Sequence, residues 1–295
     1  MADGAGGVAT MKVLVFGAGF SGRRFARMRP ETARVLGTTR SADKFGSLRE
    51  VGLEPFLFAS RTIAPDLQRE LTGVTHLVVS IAPDDQGDPV LDALKAPMPA
   101  LQWVGYLSTV GVYGDYSGAW VDEESPCKPV SNRSRERVEA ERQWLDYGAR
   151  FGVPVSVLRL SGIYGPGRNA FVNLQNGTAK RLIKPGQVFN RIHADDIAGV
   201  LWHLIDRNLG GVYNVTDDEP SPPQDVVAYA AKLMGIEPPP EVPFETAQLS
   251  PMARSFYAEC KRVSNAKIKK TGFGFAYPDY RRALETMWKE QSWGA

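Results

Sequence analysis

Cysteine and histidine are both scarce. Cys127 and Cys260 are the only cysteines in 295 residues, too few for a disulfide framework, and neither sits in a Cys-x-x-Cys or zinc-type spacing. The three histidines, His76, His193 and His203, lie far apart and form no His-Glu-x-x-His group, so no metal site is expected. No run approaches the roughly 18 uninterrupted apolar residues of a membrane span. Neither sign of charge dominates. Thirty-five Lys and Arg against 33 Asp and Glu leave a net charge of +2, which argues against a general nucleic-acid or membrane-surface binder. Residues 1–10 lack the basic start and apolar stretch of a signal peptide and read as a flexible tail, so a cytoplasmic, reducing location is expected. No Gly-x-Ser-x-Gly elbow occurs, which removes the commonest hydrolase reading.

What is present is the balance of an ordinary globular chain, with 43% apolar and 23% charged residues. From Met11 onward, short apolar runs recur at Lys12–Phe16, Arg34–Leu36, Glu54–Phe58, His76–Ile81, Trp103–Leu107, Val155–Leu160 and Val212–Val215. Continuous runs of that length suit strands covered on both faces. Helical stretches lie between several of them, including Arg135–Tyr147 and Ala194–Ile205. In the latter, Ile197, Val200, Leu201, Leu204 and Ile205 make one apolar stripe. The alternation predicts an α/β fold, a Rossmann-type doubly wound parallel sheet with a smaller C-terminal substrate lobe. The sheet domain is expected over 11–165 and 190–216, and the smaller lobe over 166–189 and 217–295, with helices at Asp225–Met234 and Tyr280–Lys289.

The sharpest motif is Gly17-Ala18-Gly19-Phe20-Ser21-Gly22, directly after the first strand and before a helix-compatible segment. Gly17 permits the tight turn, Gly19 lets backbone approach a pyrophosphate, and Gly22 allows close helix–strand packing. The helix N-terminus, with Phe20 and Ser21, then offers free N–H groups to phosphates. An NAD site carries an acidic residue about twenty positions on. Here the second strand runs into Thr39-Arg40-Ser41 with no carboxylate before Asp43, which favours NADP, Arg40 pairing with a 2′-phosphate and the two hydroxyls adding donors. The plain alternative is that Arg40 is a solvated loop charge.

Five fragments in one order carry a resemblance. They are the glycine loop; Leu107-Ser108-Thr109-Val110-Gly111-Val112-Tyr113-Gly114; Arg159-Leu160-Ser161-Gly162-Ile163-Tyr164-Gly165-Pro166-Gly167; Arg191-Ile192-His193-Ala194-Asp195-Asp196-Ile197-Ala198; and Tyr213-Asn214-Val215. With them the chain resembles the extended and atypical short-chain dehydrogenase/reductases, the NAD(P)-dependent epimerase/dehydratase-like group. The resemblance implies that Thr109 hydrogen-bonds the reacting oxygen and that Ser80-Ile81-Ala82 runs beside the nicotinamide ribose. It places Tyr164 in the turn near nicotinamide and substrate, and His193 and Asp196 at the seam between lobes.

One departure bears on chemistry. The family's Tyr-x-x-x-Lys pair falls, by the downstream Glu139-Ala140-Glu141, on Arg133 and Arg137. Arginine stays protonated, so Arg133 is a poor general acid or base, whereas Arg137 can still bind ribose or phosphate. Val110 and Gly111 likewise replace the dehydratases' acid/base pair. Three readings follow: Tyr113 or Tyr116 serves as replacement acid; Arg133, helped by Arg168 or Arg191, holds an anionic substrate so that only hydride transfer is needed; or the protein is a catalytically silent NADP-binding sensor. The expected partner is a small-molecule or nucleotide-sugar-like substrate, with no nucleic acid or membrane, and a homodimer through Arg135–Tyr147 is possible. Asp84, Asp85 and Asp88 read as a solvated loop. The basic run from Lys128 to Arg142 reads as a salt-bridged helix face, since Glu136, Glu139 and Glu141 interleave with it.

Overall fold

Val13 and Val15 pack into one apolar layer while Leu14 and Phe16 pack into another, so the first strand is covered on both sides. The same division splits Leu158 and Leu160 from Val155 and Val157. The structure is a computed structural model that describes residues 11–59, 61–94 and 98–294. The expected tail at 1–10 lies outside the described residues.

In chain order the elements begin with β1 (Met11–Phe16), α1 (Phe20–Arg27), β2 (Ala33–Thr39), α2 (Phe45–Arg49), β3 (Glu54–Ala59), β4 (Thr62–Ile63), α3 (Pro65–Leu71), β5 (His76–Val79) and α4 (Pro89–Ala93). They continue with β6 (Trp103–Thr109), β7 (Trp120–Val121), α5 (Asn132–Phe151), β8 (Val155–Leu160), β9 (Gly162–Tyr164), α6 (Ala170–Gln175), β10 (Arg181–Ile183), β11 (Arg191–His193) and α7 (Ala194–Asp206). The chain closes with β12 (Gly211–Val215), α8 (Pro223–Met234), β13 (Glu241–Pro243), α9 (Pro251–Phe256), β14 (Arg262–Val263), α10 (Ala266–Lys270) and α11 (Tyr280–Lys289).

The main sheet has 8 strands in the order β12-β8-β6-β5-β1-β2-β3-β4. Every pairing in it is parallel except β3 with β4 at the edge. The order reverses at β1, which places the crevice for a ligand beyond the carboxyl ends of β1, β2 and β5. All the strands expected from apolar runs are in this sheet. The fifth-element run is shorter than expected: β5 stops at Val79, and Ser80 N donates to the Phe16 carbonyl at 2.8 Å as the chain turns away. Helices α1 and α7 cover one face together, with Phe25 and Trp202 stacked at 4.2 Å.

A second core of Phe171, Ala230, Tyr280, Ala283, Leu284 and Met287 joins α6, α8 and α11 beyond the strand ends. Residues 262–275 do not join it. Strand β14 pairs with β7, and Ile268, Phe273 and Phe275 pack into the layer under α7. The pairs β9–β11, β10–β13 and β7–β14 escape the sequence reading because two or three residues carry no periodicity. Among the described residues, no helix is long and apolar enough to cross a membrane.

Candidate functional site

At the end of β1 the chain turns through Gly17, at φ +87°, a left-handed conformation that glycine adopts without cost. Its N–H donates to Thr38 Oγ1 at 2.9 Å and Ala18 N donates to the Thr38 carbonyl at 2.8 Å, which ties the loop to β2. A Cβ on Gly17 would lie 2.8 Å from Ile81 Cγ1, so the loop after β5 closes directly over it. A Cβ on Gly22 would sit 3.1 Å from Val15 Cγ1, the close helix–strand approach expected of the third glycine. Helix α1 has no side-chain cap and no acidic residue in its first turn. Its first intrahelical bond runs from Arg23 N to Gly19 O at 3.0 Å, so the N–H groups of Phe20, Ser21 and Gly22 point out of the helix end. Beside Gly19 the space is open, with only Gly17 O at 4.0 Å from a Cβ there. These groups fit the pyrophosphate of a dinucleotide.

At the end of β2, Arg40 is exposed, and its side chain has no hydrogen-bond or ion-pair partner among the described residues. Ser41 is different: its hydroxyl bonds the Asp43 carboxylate, which takes it out of the expected donor set. Thr39 Oγ1 accepts weakly from Ser41 N at 3.4 Å.

Across the crevice, Thr109 ends β6 and its Oγ1 accepts from Gly111 N at 3.1 Å, leaving the hydroxyl proton free to donate. A Cβ on Gly111 would lie 3.2 Å from Ser134 Oγ and 3.4 Å from Thr109 Oγ1, so α5 brings a second hydroxyl to this spot. Ser134, between the two arginines, was missed by the sequence reading. Arg133 is exposed, and its side chain has no partner among the described residues. Arg137, one turn on, is anchored: its Nη1 donates to the Leu107 carbonyl at 2.5 Å and to Tyr106 Oη at 3.3 Å. Its Nη2 and Nε stay available for a ribose or phosphate.

Neither replacement acid survives. Tyr113 is fully buried; its hydroxyl donates to Asn214 Oδ1 at 2.7 Å and accepts from Arg159 Nη1 at 2.9 Å. Burial, moderated by Arg159, pushes its pKa up to about 12. Tyr116 Oη donates to the Pro126 carbonyl at 2.6 Å. Asp88 is a correction of another kind. Instead of a solvated loop charge it is a buried cap of α4, accepting from Val90 N at 2.9 Å, Leu91 N at 3.1 Å and Trp144 Nε1 at 3.0 Å.

The β9–β11 pair forms the seam toward the second core. A Cβ on Gly165 would lie 3.4 Å from His193 Nε2 and 3.6 Å from Phe20 Cζ, so this turn touches the glycine loop. Arg168 reaches over Phe20, its Cζ 5.9 Å from the ring centroid. His193 caps α7, Nδ1 accepting from Asp195 N at 3.2 Å, while buried Nε2 has no partner among the described residues. Its ring meets Tyr277 at 4.0 Å and Tyr164 at 5.3 Å. Asp196 accepts from Ala276 N at 2.8 Å and Tyr277 N at 3.0 Å, pinning the segment after α10. Behind the seam lies a cavity of about 240 Å³ lined by Ile163, Tyr164, Arg168, Arg191, Val227 and Tyr280, among others. Ser80, Ile81, Thr109 and Tyr164 thus edge the crevice, Ala82 is exposed on its outer loop, and Arg191 lies in the cavity. The sequence carried no signal for Tyr280 beyond a helical pattern.

These groups predict a pH response. Burial lowers the pKa of His76 and His193 from 6.5 to about 4, so the unfolded chain takes up protons first and stability is lost as pH falls through that range. Asp196 opposes this: burial raises its pKa from 3.8 to about 6, so its contribution grows as pH falls. Asp88 and Asp217, also raised by burial, oppose the histidines in the same direction. The clean readout is therefore a comparison: between pH 7.5 and 4.5, His76→Phe is expected to change in stability more favourably than the parent by on the order of 2 kcal/mol in urea unfolding. The same pH response in both proteins would remove the His76 assignment.

Three proteins are similar to this chain. A conserved protein of unknown function from Silicibacter pomeroyi DSS is 49% identical, with 96% of this chain and 99% of that chain covered and a TM-score of 0.86. Protein YeeZ of Escherichia coli K12 is 32% identical over 177 residues, 59% of this chain, and the match spans only 58% of YeeZ's own length. The human epimerase family protein SDR39U1, solved with NADPH, shares the fold at 18% identity, with 95% of this chain and 99% of that chain covered and a TM-score of 0.73. A family model, that of the NAD dependent epimerase/dehydratase family, matches residues 87–216. By that match and by its sheet, the chain is similar to the NAD(P)-binding, Rossmann-type epimerase/dehydratase-like proteins. Among the described residues no group of His, Cys, Asp or Glu is arranged to hold a metal.

Proposed function

We propose that the protein is an NADP(H)-dependent oxidoreductase that transfers hydride to or from a bound small molecule without a tyrosine–lysine pair. The observation that carries the cofactor choice is Arg40, a free guanidinium at the end of β2 with no acidic residue in the position that would hold a ribose 2′-hydroxyl. The NADPH bound to SDR39U1 supports the same choice. When bound, the reduced nicotinamide supplies the hydride. The chain's own residues do the rest by placement. The N–H groups at the start of α1 hold the pyrophosphate, Arg40 the 2′-phosphate, and the spare nitrogens of Arg137 the ribose side. Thr109 hydrogen-bonds the reacting oxygen through its free hydroxyl proton, with Ser134 beside it, and the proton that accompanies the hydride is exchanged with water in the crevice. Arg133, a permanent cation, favours an anion in the crevice.

Calorimetric titration is the test. NADPH is expected to bind at least about tenfold more tightly than NADH, a difference that Arg40→Ala erases by weakening NADPH alone. Equal affinities in the parent protein would sink the NADP assignment. The committed hydroxyls of Tyr113 and Tyr116 favour a second reading, a silent NADP-binding regulator. Single-turnover absorbance of bound NADPH separates the two: loss of hydride to any carbonyl substrate supports the enzyme, and retention across a broad panel supports the regulator.

A further inference from the structure

Tyr164 Oη, His193 Nε2 and Asp217 Oδ2 make up half of the buried side-chain polar atoms that lack a hydrogen-bond partner among the described residues. They sit together around one seam: the Tyr164 ring meets His193, and Asp217 is felt electrostatically by both Tyr164 and Arg191. Native proteins leave few such groups unpaired, and a cluster of them marks a place where something polar binds. Arg191 is the strongest pointer. Its bonds to Phe189 O at 3.0 Å, Ser221 O at 3.2 Å and Ser221 Oγ at 2.7 Å all leave from Nη1. Nε and Nη2 remain, and among the described residues no carboxylate oxygen lies within ion-pair distance of this guanidinium. Burial pulls its pKa down and the nearby Asp217 opposes that, but burial also pushes the Asp217 carboxyl well up, toward its neutral form. A partly buried cation facing a carboxyl held toward neutrality favours an anion from outside.

The cavity around Arg191 limits what that anion can be. Most of its wall is apolar or aromatic, with Ile163, Val226, Val227 and Leu284 beside the rings of Tyr164 and Tyr280, and Arg168, Asn169 and Asn173 add polar groups to that of Arg191. Its volume, about 240 Å³, equals roughly eight waters' share of liquid and lies below the range of drug-sized sites. Tyr164 and Arg168 belong both to its lining and to the seam beside Phe20, so its contents adjoin the end of the dinucleotide crevice.

We propose that this cavity takes a compact carboxylate with a flat apolar body of single-ring size, its carboxylate on Arg191 and the Tyr164 hydroxyl, and not a nucleotide sugar. This assignment deepens the proposed function by naming the substrate class. It is a statement about the cavity alone, tested without cofactor, so its failure is distinct from a failure to bind NADPH.

The test is calorimetric titration of the full chain with benzoate, its neutral isostere benzamide, and UDP-glucose. Benzoate is expected to bind in the millimolar range or tighter, and benzamide at least about tenfold more weakly. Arg191→Gln should weaken benzoate about tenfold while leaving benzamide unchanged, and Tyr164→Phe should weaken benzoate about threefold. Because Arg191 also ties Ser221 to Phe189, its variant is checked by NADPH affinity, which must stay at the parent value. Val227→Trp keeps Arg191 and fills the cavity, so it should abolish binding of both ring compounds. Equal affinities for benzoate and benzamide, no binding of either at about 20 mM, benzoate binding untouched by either variant, or UDP-glucose displacing benzoate at lower concentration would each overturn the assignment.

Discussion

Replacing Gly17 with valine is expected to lower NADPH affinity by at least about a hundredfold and stability by about 2–4 kcal/mol. Two costs add. At φ +87° a β-branched residue is strained whatever space it finds, which alone is worth roughly 1–3 kcal/mol. There is no space either, because the new Cβ would lie 2.8 Å from Ile81 Cγ1 and 3.2 Å from the Ile81 backbone nitrogen. Rotating Ile81 relieves only the first contact. The second is backbone, so the loop after β5 must retreat, and with it Ser80, whose N–H is held by Phe16 O at 2.8 Å. A displaced loop misaligns the N–H groups of α1. Gly19→Ala is the contrasting case: its Cβ meets nothing closer than 4.0 Å, so stability should change by less than about 0.5 kcal/mol while affinity still falls. Titration with NADPH beside urea unfolding reads both effects. Parent-like affinity in Gly17→Val would mean that the loop is only a turn.

How far the sequence alone reached follows from the range of each signal. Strands β1, β5, β6 and β8 were legible because burial on both faces makes them unbroken apolar runs, and the glycine loop because its geometry demands glycine at fixed offsets. What stayed hidden depends on partners remote in the chain. Tyr113 looked available as an acid until Asn214 and Arg159 closed on its hydroxyl from 101 and 46 residues away. Asp88 read as loop charge, and it is Trp144, 56 residues on, that makes it part of the core. The Arg191 cavity is assembled from β9, β11, α6, α8 and α11, and no local pattern encodes that meeting. Even Ser41 was lost to a neighbour two residues off, because side-chain hydrogen bonding in a loop leaves no periodic trace.

The same remote pairing sets the largest stability effect outside the glycine loop. Glu141 on α5 and Arg159 on β8 form a buried ion pair at 2.7 Å, with both side chains less than a tenth exposed. Arg159 Nε also reaches both carboxylate oxygens at 3.2 Å, its Nη1 holds Tyr113, and Ser108 Oγ donates to Glu141 Oε1 at 2.5 Å. Charges so enclosed gain little over an apolar pair, yet losing one partner strands the other. Glu141→Ala is therefore expected to cost about 3–5 kcal/mol and roughly 10 °C in Tm. Arg159→Met combined with Glu141→Leu should recover most of that loss, since the double change leaves no charge behind and roughly keeps the volume. Thermal and urea unfolding of the two variants decide it: a double variant no more stable than Glu141→Ala would show that the pair contributes through its hydrogen bonds to Ser108 and Tyr113 and not through mutual neutralisation. The pair fastens α5 to β8 under Thr109, so the double variant also tests whether rigid support of that hydroxyl, and not the buried charges themselves, is what the crevice requires.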